Sequence, residues 1–207
     1  MKTKNNISHK CRAACVVCSL VLISGFAFYF LFLNRQTNQK HLRMKYALIS
    51  ESDYIFDDPC FSFEERIAAV PGIVELEIVE KLPNYTVIIG DEAYGTSEEV
   101  AFCQYQVRLL TDIGNTGIAT DDDNTFIIIF AKAFENAYPV LDSEMVVICS
   151  IEAASGIHDG KYIFFDRSFY YIDGETALAA YEGDDSPASK MCSKNLLIRQ
   201  IKKIRGK

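Results

Sequence analysis

Residues 13–33, AACVVCSLVLISGFAFYFLFL, hold no charged side chain. A helix rises about 1.5 Å per residue, so this stretch is long enough to cross the roughly 30 Å hydrocarbon layer of a bilayer. Only a helix carries a single chain's backbone polar groups through lipid without water. A cleaved signal peptide has an apolar region of about 7 to 15 residues ending in small residues. Here the apolar run continues through Phe28, Tyr29, Phe30, Leu31, Phe32 and Leu33 to Asn34 and Arg35, and the small residues Ser24, Gly25 and Ala27 sit inside it. The stretch therefore reads as an uncleaved transmembrane helix with the lipid bilayer as its partner. It divides the chain into a basic N-terminal stub (residues 1–12), the span (13–33), a polar juxtamembrane spacer or extension of the helix (34–43), a globular domain (44–189) and a basic C-terminal tail (190–207).

Lys2, Lys4, Lys10 and Arg12 precede the span, and Arg35, Lys40, Arg43 and Lys45 follow it, so the positive-inside rule counts both flanks equally. A stub this short is expected to stay cytoplasmic, with the domain extracytoplasmic. Charge is strongly segregated beyond the span. All 28 Asp and Glu lie between Glu51 and Asp185, with only Arg66, Lys81, Arg108, Lys132, Lys161 and Arg167 against them. Such a body repels phosphate backbones, which argues against nucleic acid as a partner. It attracts basic protein surfaces or cations.

The domain alternates helical and extended patterns. Residues 44–49 read as a first strand. Residues 51–60 form a loop with Asp57-Asp58-Pro59 as its turn signal. Ser62 and Glu65 make a capping box at the head of a helix, FEERIAAV, which Pro71-Gly72 stop. Residues 73–80 alternate apolar and acidic side chains, as in a strand with one wet face. Lys81-Leu82-Pro83-Asn84 then predicts a turn, and residues 85–89 the returning strand of a hairpin. Thr96 and Glu99 form a second capping-box pattern, and Val100, Cys103, Val107 and Leu110 fall at helical spacing, which predicts a helix over 97–111. The apolar run Thr125 to Phe130 has no polar interior position and reads as a central strand. This order, βαββαβ, is the ferredoxin-like split βαβ, an α+β fold. Extra C-terminal strands follow: residues 144–150, and a hairpin with arms at 161–165 and 169–173 after a short helix at 132–138. In the tail, Leu197, Ile201 and Ile204 line up at helical spacing.

Pro71-Gly72-Ile73-Val74 and Leu82-Pro83-Asn84-Tyr85-Thr86-Val87-Ile88-Ile89 resemble the last helix-to-hairpin part of POTRA domains, including those of membrane-anchored division proteins of the bacterial septum. That resemblance implies envelope assembly; a POTRA domain has two helices before this point, whereas Ile49 to Pro71 leaves room for one. The region through Thr120 is also similar to heavy-metal-associated domains. Those bind metal through a CxxC pair; here Cys60 is present and Phe63 stands at the second position. Both are resemblances of topology.

Motifs for chemistry are sparse. Cys15-Val-Val-Cys18 is a CxxC at the lipid entrance, with Cys11 beside it. Cys60, Cys103, Cys149 and Cys192 permit three pairings outside the cytosol, and sequence does not choose among them; Cys103 and Cys149 fall within apolar patterns and are expected to be buried. Asp121-Asp122-Asp123-Asn124 resembles the head of a calcium loop, but Phe126 and Lys132 occupy the positions that need Gly and Glu. Asn84-Tyr-Thr86 is a glycosylation sequon. His158, in the turn Gly156 to Gly160, is the one histidine of the domain body and would need Ser155 or Cys149 as nucleophile for hydrolysis. No catalytic, cofactor or metal residue is assigned. The expectation is a tethered domain that binds or assembles with another protein; the rival readings are a septum-assembly protein of POTRA type, an ion-binding module and a hydrolase.

Overall fold

The computed structural model describes residues 29, 33–34, 36–50, 62–91, 96–114 and 117–206, in two compact units, Met1–Lys45 and Tyr46–Lys207. In the first, residues 36–45 form helix α1, and the Thr37 hydroxyl donates to the Leu33 carbonyl at 3.0 Å. The span expected at 13–33 lies outside the described residues except for Tyr29 and Leu33, and among the described residues no helix is long and apolar enough to cross a membrane.

The second unit is mixed α+β. Its first helix, α2 (Phe63–Ala69), starts as the capping box predicts: the Ser62 side chain accepts from the Glu65 amide while Glu65 takes the Ser62 amide at 2.9 Å. Seven strands follow, β1 (Gly72–Asp91), β2 (Thr96–Asp112), β3 (Thr125–Ala131), β4 (Val146–Ala153), β5 (Lys161–Asp173), β6 (Thr176–Ala179) and β7 (Cys192–Ser193), and then helix α3 (Lys194–Arg205). They form one sheet in the order β3-β2-β1-β4-β5-β6-β7. In addition, β3 pairs in parallel with the start of β5, Ile127 to Lys161 through Ile129 to Ile163. That pairing closes β1-β2-β3-β5-β4 into a ring. Three hairpin-linked strands with the fourth returning beside the first is a Greek key.

The βαββαβ order is therefore not the one adopted. Residues 97–111 are strand β2, not a helix: Cys103, Tyr105 and Val107 are buried while Gln104 and Gln106 lie on the opposite face. The same residues satisfy a period of two as well as one of 3.6, and continuous antiparallel pairing to β1 decides between them. The turn expected at 81–84 is absent too. The chain runs straight through it with a register shift between Leu82 and Tyr85, and reverses only between Asp91 and Thr96. The segment on which the POTRA resemblance rests, Gly72 to Ile89, is thus one continuous strand, and the region similar to heavy-metal-associated domains continues into a second one, β2. The 161–173 hairpin is likewise a single strand, β5, and residues 44–49 supply only a bridge from Ile49 to Tyr181. The helix at 132–138 is a 3-10 turn, Lys132–Ala137.

Alternation places Val74, Leu76, Ile78, Val107, Val147, Cys149 and Ile151, all buried, on one face of their strands, directed into the ring. The opposite faces of β1, β4 and β5 are also covered. Ile73, Ile148, Tyr170 and Ile172 pack with Ile67 of α2 and Leu197 and Ile201 of α3 in a second core. This is why the face of β1 that carries Glu75 is not wet. Glu75 is buried, accepts from the Lys194 ammonium at 3.0 Å, and receives the Thr111 hydroxyl at 3.2 Å. The basic tail is part of this unit, its Leu197 and Ile201 buried and Ile204 packed against them, as its spacing predicts.

Beneath α2 the Arg66 guanidinium meets the Asp184 carboxylate at 2.8 Å, both side chains almost fully enclosed. The Asp184 carboxylate also takes the Ser186 amide at 2.8 Å, and burial still pushes its carboxyl above the usual range. Removing one member of a buried pair strands the other charge away from water. Arg66→Met is expected to lower unfolding free energy by about 3 kcal/mol in urea denaturation, and Asp184→Leu added to it to restore most of that loss.

Candidate binding site

Strands β1 and β2 are far longer than the ring requires. Pairing of β1 with β4 covers Gly72 to Glu77, and pairing of β2 with β3 begins at Phe102. Beyond those limits the two strands continue as a two-stranded arm, Tyr85–Asp91 against Thr96–Phe102, and no other described strand pairs with either of its edges. Ile88 is 74 % exposed and Ile89 49 %. Directly across from them on β2 stand Glu99 and Glu98, both exposed. The arm is therefore a ribbon with open edges, exposed isoleucines and acidic neighbours.

The root of the arm is built differently. Tyr85 of β1 and Phe102 of β2 are register partners, and their rings stack with centroids 5.5 Å apart. The loop between β4 and β5 folds onto this platform through the 3-10 turn Gly156–His158. His158 sets its ring 4.4 Å from that of Phe102, and its Nδ1 is hydrogen-bonded to the Tyr85 hydroxyl at 2.7 Å. Lys161, the first residue of β5, holds its ammonium 3.7 Å from the centre of the Tyr85 ring and donates to the Gln104 side chain at 3.2 Å. Gln104 in turn donates to the Pro83 carbonyl at 2.7 Å. The parallel β3–β5 pairing is what brings Lys161 to this face, one strand from Gln104.

Partial burial tunes these groups together. It pushes the Tyr85 hydroxyl up and the Lys161 ammonium down. His158 is held below its ordinary value by burial first and by the Lys161 charge second. Among the described residues Lys161 faces no carboxylate within 4 Å, and neither does the exposed Lys132, whereas Arg66, Lys81, Arg108 and Lys194 each do. Titratable, aromatic and amide groups from three separate elements converge here.

The residues singled out in the sequence fare unevenly. His158 is brought to Tyr85, Phe102 and Lys161, and not to Ser155 or Cys149 as a nucleophile; Cys149 is buried in the barrel. Its real neighbours carry no local signal: Tyr85 is 73 positions away, and only the strand pairing joins them. Asp121 spends its carboxylate inside its own turn, taking the Asp123 amide at 3.1 Å and both the amide and the hydroxyl of Thr125, while Asn124 adopts a left-handed φ of 59°. Its carboxyl is held low by those bonds, from Thr125 above all. No three His, Cys, Asp or Glu among the described residues are placed to share a metal ion. Cys103 is a fully buried free thiol, pushed up by burial and then by Glu135, so its reactive thiolate is disfavoured. Asn84 of the sequon is exposed within β1. Cys11, Cys15, Cys18 and Cys60 lie outside the described residues. A cleft of about 200 Å³ beside Gly72 is lined by Pro71, Gly117, Ile118, Ile151, Ala153 and Tyr162 and presents no charged group.

Set against known protein families and curated proteins, the chain matches none.

A histidine held below its ordinary value takes up a proton less readily folded than unfolded. Its contribution to stability is present above the unfolded value, near pH 6.5, and is lost as pH falls through it. The urea midpoint of the protein is therefore expected to fall between pH 7.5 and pH 5.5, and to fall less in His158→Gln. Tyr85→Phe removes the hydroxyl partner of Nδ1 and is expected to cost about 0.5–1 kcal/mol at pH 7.5, checked by the same denaturation series.

Proposed function

We propose that this chain is a single-pass membrane protein, held in the bilayer through residues 13–33 with its N-terminus cytoplasmic and its α+β domain extracytoplasmic. The domain binds an extended, basic segment of another protein along the arm. The observation that supports the reading is the arm itself. Its strand edges are left without pairing beyond the ring, and its exposed apolar positions are Ile88 and Ile89. Natural sheets cover, shorten or charge such edges unless they serve as templates for an added strand. An extended peptide that joins an edge gains main-chain hydrogen bonds there, with alternate side chains giving selectivity. Exposed Glu98 and Glu99 favour a cationic peptide and disfavour a nucleic acid.

A photo-crosslinking residue in place of Thr86, in the full chain in intact membranes, tests the reading. A discrete adduct is expected on irradiation, and Ile88→Lys or the charge reversal Glu98→Lys with Glu99→Lys is expected to abolish it. Absence of an adduct, or one indifferent to both changes, overturns the proposal.

A further inference from the structure

The root of the arm holds a half-buried lysine with no carboxylate partner among the described residues. The span from Glu51 to Asp185 contains 28 acidic residues and only six basic ones. In such a body a lysine is surrounded by candidate carboxylate partners, yet Lys161 has none. It is half-buried, and its ammonium is bonded to an amide oxygen and laid over an aromatic ring. Burial lowers its proton affinity and no acid raises it. His158 stands against the same tyrosine ring, 5.9 Å between centroids, and feels the lysine's charge. The other groups packed here are Tyr85 of β1 and the uncharged Phe102 and Gln104 of β2. Two groups able to carry positive charge thus share one platform with no anion supplied by the described residues.

An anion between them would repair each defect. It would accept from the ammonium, which has further protons to give beyond its bond to Gln104. It would also favour the protonated imidazole, as an opposite charge within about 4–6 Å does. The stacked Tyr85 and Phe102 rings, half-buried, form the floor on which both groups sit. We infer that Lys161 and His158, on the Tyr85–Phe102 platform at the root of the arm, form a binding site for the oxyanion group, carboxylate or phosphate, of a small molecule. The inference is independent of whether a protein strand joins the arm, since it involves the face of the ribbon and not its edge.

Imidazole proton resonances of the full chain in detergent micelles provide the test. His158 is told from His9 and His41 by its loss in His158→Gln. Inorganic phosphate and acetate are titrated separately at constant ionic strength with chloride as the balancing ion. The expected result is a saturable shift of the His158 resonance with at least one of the two, and a titration midpoint raised by about one pH unit when the anion is bound. Lys161→Gln is expected to abolish saturation and Lys161→Arg to retain it. Far-UV circular dichroism and the urea midpoint establish that both variants are folded. The proposal is overturned if neither anion moves the His158 resonance in a saturable way. It is equally overturned if Lys161→Gln, folded, saturates as the parent does. Should Lys161→Gln not fold, the midpoint rise in the parent decides alone, since a merely structural lysine would leave it unchanged.

Discussion

Three parallel register pairs hold this domain in its form: Ile127 with Lys161, Ile128 with Tyr162 and Ile129 with Ile163. Without them β3 would be the edge of an open sheet, and the buried faces of β2 and β3 would have nothing opposite them. With them the sheet meets itself, and a closed ring abolishes that edge. The strand that performs the closure then leaves the ring. From Phe169 onward β5 turns to β6, and Tyr170 and Ile172 serve the second core under α2 and α3. One strand therefore couples two cores, so that packing errors in either are transmitted to the other.

The closure also explains where unusual chemistry collects. Lys161 is the first residue of the closing strand, and its neighbours are set by the ring. The arm owes its exposure to the same geometry. The ring pairs β1 with β4 only over Gly72 to Glu77, and from Tyr85 onward β1 projects beyond the ring with an open edge. Ring and arm meet at Tyr85 and Phe102, where a partly buried cation and histidine are brought together by three elements distant in the chain.

Features determined by a few adjacent residues were readable in advance. The capping box of α2 needs only Ser62 and Glu65, and the helical spacing of Leu197, Ile201 and Ile204 needs only one face. The uninterrupted apolar run of β3 suits a strand with neighbours on both sides, as it has. Features decided by distant partners were not. Residues 96–112 fit a helix and a strand equally by their apolar positions, and the choice rests on β1 and β3. Pro83 and Asn84 looked like a turn because both are turn formers; the sheet absorbs them as a register shift. The acidic alternation of β1 looked wet because nothing local announces that Lys194, 119 positions later, will cover Glu75. The candidate site was legible only as His158 alone. Its lysine was hidden among ordinary surface charges, and its aromatic floor was divided between β1 and β2.

The last helix of the chain is also the lid of its second core, with Leu197 and Ile201 fully enclosed and Arg205 donating to the carbonyl of Val70 at 2.6 Å. Stripping that helix away would bare Ile73 of β1, Ile148 of β4 and Tyr170 of β5 to water together, so the outer wall of the ring and the basic segment stand or fall as one cooperative unit.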